Sequence, residues 1–329
     1  MSNPLKTDHG DQSEWCGVSG NSNQGGSIDQ DLGVFIEGVR RVLGESTTKK
    51  LLRWRGGDFY IIDELLLRLD NLCAFNRCTL VEVFGGSGFV TQEADRRRFS
   101  NIVYNDIDSR LVTLYRAVKE KPMELMALLL TLPYARSYYN IISDLINAGG
   151  RELAALELAA FIFYISNVKV HGGLGSGGFS YGVSPSHNHA RKFRNHVLII
   201  PEVVARWSDV TIENLDFRDV IERYDHEQTV FYLDPPYPDT AEDYYDHKFT
   251  VSNLRQMAMI LTRIRGKFLL KLNEKSYSYI KDILTEDNYS VERIDRQLAM
   301  DNITEVKQEG KARRQVIVLV SSKKPQSKN

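Results

Sequence analysis

Thr229-Val230-Phe231-Tyr232-Leu233, followed by Asp234-Pro235-Pro236-Tyr237, is the stretch on which the reading of this chain turns. The first five residues form a short apolar run rich in β-branched and aromatic side chains, the pattern of a buried strand. Two prolines cannot continue it, because they lack N–H donors and hold φ fixed. The chain therefore leaves the sheet at Asp234. A carboxylate, a proline carbonyl and an aromatic ring are left at the carboxyl end of a strand, the edge where ligands bind in open α/β sheets. An exocyclic amino group there could donate its two hydrogens to the Asp234 carboxylate and the Pro235 carbonyl. The Tyr237 ring could stack on the base carrying that amine. By itself the tetrapeptide also fits an ordinary strand exit, and its upstream partners decide.

The first partner is Val81-Glu82-Val83-Phe84-Gly85-Gly86-Ser87-Gly88, a strand ending in a glycine-rich turn, with a helix start from Phe89 onward. Glycines let the backbone take positive φ and pass close to a ligand. The helix beyond offers N–H groups to an anionic or polar moiety. The second partner is Asn101-Ile102-Val103-Tyr104-Asn105, a strand that ends at Asp106. An acid about 20 residues after the glycines, at the tip of the next strand, is placed to bind ribose hydroxyls. Asp106 could instead cap the helix over 109–118, but Asp108 is the better cap. The third partner is Leu52-Arg53-Trp54-Arg55-Gly56-Gly57-Asp58, which alone reads as a turn before a helix over 60–69.

Taken in chain order, Trp54-Arg55-Gly56-Gly57, Phe84-Gly85-Gly86-Ser87-Gly88, Asp106-Ile107-Asp108, Asp216-Phe217 and Asp234-Pro235-Pro236-Tyr237 resemble the Dam-type, D12 class DNA adenine-N6 methyltransferases. The likeness runs over roughly 49–322. It implies an α/β, Rossmann-like S-adenosylmethionine-dependent methyltransferase fold. The sheet would be mostly parallel with a C-terminal antiparallel strand, and a mainly helical target-recognition insert would be added. The cofactor implied is S-adenosyl-L-methionine, held by Trp54, Gly56, Gly57, Asp58, Phe84, Gly86, Gly88, Asp106, Asp216, Phe217 and Asp234. Asp234, Pro235, Pro236 and Tyr237 would be catalytic, and Asp216 with Phe217 would hold the cofactor's adenine. The substrate implied is duplex DNA, with the target adenine flipped out of the stack.

Composition agrees with this. A chain of 329 residues with 42% hydrophobic content can bury a sizeable core. No apolar run of about 18 residues occurs, so no membrane span is expected. The polar N-terminus has no signal-peptide pattern, and a cytoplasmic location is expected. Cys16, Cys73 and Cys78 have no metal spacing and read as reduced thiols, neither a disulfide framework nor a zinc site. No metal is expected. The net charge of −1 does not announce a nucleic-acid binder. Basic residues cluster locally at Lys49-Lys50 with Arg53 and Arg55, at Arg96-Arg97-Arg98, at Arg191-Lys192 with Arg194, and at Lys311 with Arg313-Arg314. Each reads first as a solvated face.

The Ser-, Asn- and Gly-rich residues 1–30 read as a disordered tail, and 31–44 as a short amphipathic helix. The catalytic domain is expected over 31–118 and 206–322, the helical insert over 119–205, and a flexible tail over 323–329. Helices are expected in the insert over 122–132, 135–147, 151–168 and 187–207, the last interrupted near Pro201. Between them lies His171-Gly172-Gly173-Leu174-Gly175-Ser176-Gly177-Gly178-Phe179-Ser180-Tyr181-Gly182, a loop or twisted hairpin projecting Phe179 and Tyr181. The core resumes with strands over 210–213 and 229–233, a helix over 251–265, a strand over 267–272, a helix over 276–284, and an antiparallel pair near 289–294 and 315–320.

Two residues depart from the family pattern. Asp58 stands where the family usually carries Lys, which removes a positive charge beside the cofactor and the DNA. Ser176 stands where GATC-reading members carry an Arg, and a serine cannot read guanine bidentately. GATC recognition is therefore not expected. Asp234 favours adenine. Methylation of cytosine N4, of an RNA base or of a protein amide remains an alternative, as does an inactive cofactor-binding DNA-binding protein. A restriction–modification role would put the endonuclease on a separate chain, since no nuclease motif is present.

Overall fold

The computed structural model describes residues 50–54, 61–170, 172–175, 177–184, 187–238, 249–297 and 314–323. All fall in one compact unit, Glu45–Asn329. The expected tail over 1–30, the helix over 31–44, Cys16 and residues 324–329 lie outside the described residues.

The elements are α1 (Ile62–Leu72), β1 (Cys78–Glu82), α2 (Phe89–Glu93), β2 (Phe99–Asn105) and α3 (Ser109–Glu120). Five helices follow, α4 (Pro122–Thr131), α5 (Arg136–Asn147), α6 (Ala155–Val168), α7 (His189–Leu198) and α8 (Ile200–Trp207). The chain then returns through β3 (Val210–Glu213), α9 (Phe217–Tyr224), β4 (Thr229–Leu233), α10 (Val251–Leu261) and β5 (Lys267–Asn273). It closes with α11 (Glu274–Ser278), β6 (Tyr289–Gln297) and β7 (Arg314–Ser322). One seven-stranded sheet has the order β3-β2-β1-β4-β5-β7-β6. The first five strands in that order pair in parallel. β7 runs antiparallel between β5 and β6. The fold is thus the Rossmann-like methyltransferase arrangement that the sequence implied.

Strand alternation builds two apolar layers. Phe231 and Leu233 of β4 and Phe268, Leu270 and Leu272 of β5 face Val220 and Ile221 of α9 and Leu254 and Met257 of α10. The intervening residues, such as Tyr232 and Leu269, are buried on the opposite face, where α1 packs on β4 and β5. Because β1 lies beside both β2 and β4, the exits of these three strands share one edge. The glycine turn, Asp106 and Asp234 stand on those exits.

Helix bounds differ from expectation where local geometry intervenes. α6 begins at Ala155, not 151, because Gly149 and Gly150 take φ of 96° and 60° and turn the chain first. The helix expected over 276–284 is the short α11 followed by turns. The break at Pro201 occurs as expected, with Pro201 in the first turn of α8.

The cysteine expectation is overturned. Cys73 and Cys78 form a disulfide, with Cα atoms 5.9 Å apart. The cause is the short connection from α1 to β1, which returns the chain on itself within five residues and lets Cβ vectors meet. Arg98 clasps that connection, donating to the carbonyls of Asp70 at 3.1 Å and Cys73 at 2.9 Å.

Candidate active site

The glycine turn is shaped by both conformation and space. Gly86 and Gly88 take φ of 49° and 60°, where side chains other than glycine are strained. A Cβ at Gly85 would stand 2.1 Å from the Tyr104 ring, and one at Gly88 would stand 2.5 Å from Trp207. A Cβ at Gly86 would lie 3.0 Å from Trp54 Nε1, so the indole of the first motif sits over the turn. The turn is held from below: Tyr104 donates its hydroxyl to the Gly86 carbonyl at 3.0 Å, and Tyr115 donates to Ser87 O.

Asp106 belongs to the same assembly. Its Oδ2 accepts the Gly86 N–H at 2.7 Å and its Oδ1 accepts the Asp108 N–H at 2.8 Å. Asp108 caps α3, accepting the Arg110 N–H at 2.9 Å, so Asp106 does not serve as the cap. Loss of hydration pushes the Asp106 carboxyl up to about 6, while the two backbone N–H groups oppose that rise. At the amino end of α2 the Thr91 N–H is taken by Glu82 Oε2 at 2.8 Å.

Asp234 leaves β4 beside Lys271 of β5, following the register in which Leu233 meets Leu270. Lys271 Nζ lies 2.5 Å from Asp234 Oδ2, with the lysine side chain 5% exposed and the aspartate 22%. The Tyr237 hydroxyl stands 3.5 Å from Asp234 Oδ1. Pro235 is buried, and Pro236 and Tyr237 are half-buried. Tyr237 packs against the apolar layer that includes Phe249 and Leu272.

A third group stands beyond β3. Asp216 caps α9 and also pairs with Arg218 at 2.8 Å. Phe217 stacks on Phe84 at 5.9 Å, and Phe249 meets both rings edge-on at 5.8 and 5.6 Å. Buried Asn105 fastens these exits, donating to the carbonyls of Val83 at 2.9 Å and Leu215 at 3.0 Å and accepting the Leu215 N–H at 2.8 Å. Lys271, Asn105 and Phe249 were not singled out from sequence. Lys271 had a signal: one lysine inside the apolar run Phe268-Leu269-Leu270-Lys271-Leu272, on a strand that follows the acidic one.

Residues 54–300 match the model of the D12 class N6 adenine-specific DNA methyltransferase family. The chain belongs to that family. No curated protein matches it. Among solved structures, the chain is similar to a candidate RNA methyltransferase, PH1948, from Pyrococcus horikoshii, with 9% identity, 88% of this chain and 98% of that one covered, and a TM-score of 0.37. It is also similar to precorrin 8w decarboxylase from Methanobacterium thermoautotrophicum, with 11% identity, coverage of 79% and 90%, and a TM-score of 0.32.

In this D12 chain, Gly56, Gly57, Asp58, His171 and Ser176 lie outside the described residues. The remaining glycine-rich loop is anchored beside the first motif: the Gly173 N–H donates to Arg53 O at 2.8 Å. Buried Lys169 donates to Gly175 O, and burial pushes its ammonium down to about 8. Phe179 pairs with Lys169 as an antiparallel bridge and packs on Tyr134 at 5.1 Å and Tyr139 at 5.9 Å. Tyr181 is 63% exposed, with Arg136 5.2 Å from its ring. The two rings expected to project therefore differ, and Tyr181 alone stands out. The Arg96-Arg97-Arg98 cluster is spent on the protein itself, on Asp209, Asp95 and backbone carbonyls. Among the described residues no helix is long and apolar enough to cross a membrane, and no group of His, Cys, Asp and Glu could hold a metal.

Proposed function

We propose that this methyltransferase transfers a methyl group from S-adenosyl-L-methionine to the N6 amine of an adenine in DNA, at a specific sequence and with the base flipped from the duplex. The observation that carries the reading is the meeting of Asp234 and the Gly85–Gly88 turn on adjacent strand exits, with Asp106 bracing that turn. The residues fit the cofactor. Gly86 sits in a backbone conformation with positive φ beneath Trp54, which suits close approach of a ligand. Asp106 retains acceptor capacity for ribose hydroxyls, and the Phe84–Phe217–Phe249 cluster with Asp216 beside it suits an adenine ring.

An adenine N6 lone pair is delocalised into the ring, so the amine is a weak nucleophile. Asp234 and the Pro235 carbonyl would accept its two hydrogens and localise the pair on nitrogen. Tyr237 would receive the flipped ring, and the unstacking cost is a few kcal/mol. When bound, S-adenosyl-L-methionine supplies an electrophilic methyl on a sulfonium. Holding amine and methyl in line can contribute roughly 7–11 kcal/mol. The proton need not leave first, because the nitrogen becomes acidic only as the N–C bond forms. The helices over 119–205 are the target-recognition insert in this reading, and the enzyme works in the cytoplasm, where the DNA is. An endonuclease partner would be a separate chain.

Asp234→Ala tests the assignment. Single-turnover methylation should fall by at least ~10²-fold, the scale of one preorganised polar contact, while cofactor binding is partly kept. A variant with near wild-type turnover would remove Asp234 from the reaction.

A further inference from the structure

We infer that Lys271 is a positioning residue for the reaction: its ammonium fixes the Asp234 carboxylate in rotamer and in charge, so that the acid keeps accepting from the substrate amine in mildly acidic solution. This rests on the methyltransferase reading above. The strand pattern sets up the pair. Phe268, Leu270 and Leu272 face the apolar layer shared with Val318 and Val320, so Lys271 projects from the other face of β5. In a parallel ladder, register neighbours stand side by side on one face. Leu233 is the neighbour of Leu270, so the next residues, Asp234 and Lys271, meet.

The contact is 2.5 Å from Nζ to Oδ2, and only 5% of the lysine side chain is exposed. Screening by water is therefore weak. The pair divides the two carboxylate oxygens, with Lys271 at Oδ2 and the Tyr237 hydroxyl 3.5 Å from Oδ1. An aspartate has one soft terminal torsion with broad wells. A strong contact at one oxygen narrows that torsion and aims the other oxygen. An opposite charge also favours the ionised acid. The ionised form matters here, since a protonated carboxyl offers a hydrogen where the amine needs an acceptor. Other ionisable groups lie around this end of the sheet. On α1, which packs on this face of β4 and β5, Asp63 and Glu64 stand in the first turn, and Glu64 meets Arg68, which also meets Glu292 of β6. Glu82 of β1 accepts the Thr91 N–H, Asp106 beyond β2 accepts from Gly86 and Asp108, and Glu274 of α11 meets Arg293.

The test uses Lys271→Met and Lys271→Arg in the full chain, with the Asp234 carboxyl titrated by carbon-13 NMR and methylation followed against pH. Lys271→Met should move the carboxyl midpoint upward and carry the acid limb of kcat with it. The loss should be about tenfold near pH 6 and should shrink as pH rises, with KM for the cofactor little changed. Lys271→Arg keeps the charge and should restore the limb. An unchanged midpoint in Lys271→Met would overturn the inference. So would a loss that is uniform across pH and not rescued by arginine, which marks a purely structural role. If Lys271→Met does not fold, Lys271→Gln takes its place: it removes the same charge, so its carboxyl midpoint must also rise, and an unchanged midpoint would overturn the inference. A wild-type protein that leaves DNA adenine unmodified would sink the methyltransferase reading instead, while the NMR midpoints would still report the pair.

Discussion

Asp106 and Gly86 are joined by a 2.7 Å hydrogen bond from the glycine N–H to the aspartate Oδ2. This bond ties the tip of β2 to the turn after β1. It makes one carboxylate responsible for both the shape of the turn and, in the proposed function, the ribose of the cofactor.

A pH effect on cofactor binding follows. The Asp106 carboxyl is pushed up to about 6, above its usual value, so its protonated form is the one burial favours. In the free protein this contribution to stability is present at low pH and is lost as pH rises through about 6. Ribose hydroxyls need the ionised acceptor, so the sign for binding is opposite. Affinity for S-adenosyl-L-methionine should fall as pH drops from 7 to 5. Calorimetric titration should show that slope in the wild type, and a weaker, flatter response in Asp106→Asn. At neutral pH Asp106→Ala should lose roughly 1.5–3 kcal/mol of cofactor binding.

Gly88→Ala should destabilise the fold. The new methyl would sit 2.5 Å from the Trp207 ring at a φ of 60°. Strain and overpacking together predict a loss of roughly 2–4 kcal/mol. Chemical denaturation monitored by tryptophan fluorescence would measure it, and an unchanged midpoint would mean that Trp207 can move aside.

Much of this arrangement was legible in the sequence, and the failures have physical causes. Pro235-Pro236 forces a strand exit, and Asp108 outcompetes Asp106 as a cap because it immediately precedes α3; both readings are local and both hold. The glycine turn was legible as a turn, but not the clamp beneath it. Tyr104, Tyr115 and Trp207 come from three elements whose meeting is set by tertiary packing. Lys271 was missed for the same reason: its partner is settled by the order of strands, not by spacing along the chain. The disulfide was missed because two cysteines five residues apart can be bridged only when the intervening turn returns the chain, and the sequence carries no sign of that return.

The disulfide should matter for stability more than for activity. It closes a short loop between α1 and β1, at the end of the sheet away from Asp234. Loop-closure entropy predicts about 2 kcal/mol for so short a ring. Cys73→Ala with Cys78→Ala, or mild reduction, should lower the melting temperature while the single-turnover rate stays near wild type. A matching collapse of the rate would show coupling across the sheet.

Tyr181 and Phe179 should separate into two roles. Phe179 packs on Tyr134 and Tyr139, so Phe179→Ala should lower stability by about 1–2 kcal/mol, less than for a fully buried ring. Tyr181 is 63% exposed and is free of that packing. If it supports the flipped-out state, Tyr181→Ala should slow methylation of duplex DNA more than of single-stranded or mismatched DNA, where unstacking is already cheap. Equal slowing of both substrates would remove it from base flipping.

The most direct test of the account is to incubate the protein with S-adenosyl-L-methionine labelled in its methyl group and with unmethylated duplex DNA, digest the product to nucleosides and identify the labelled one. The account predicts label in N6-methyl-2′-deoxyadenosine alone, confined to one sequence context and absent with Asp234→Ala. Label in N4-methylcytosine, or in RNA or protein but not DNA, would contradict it, and so would no transfer by a folded, cofactor-binding protein on DNA of varied sequence.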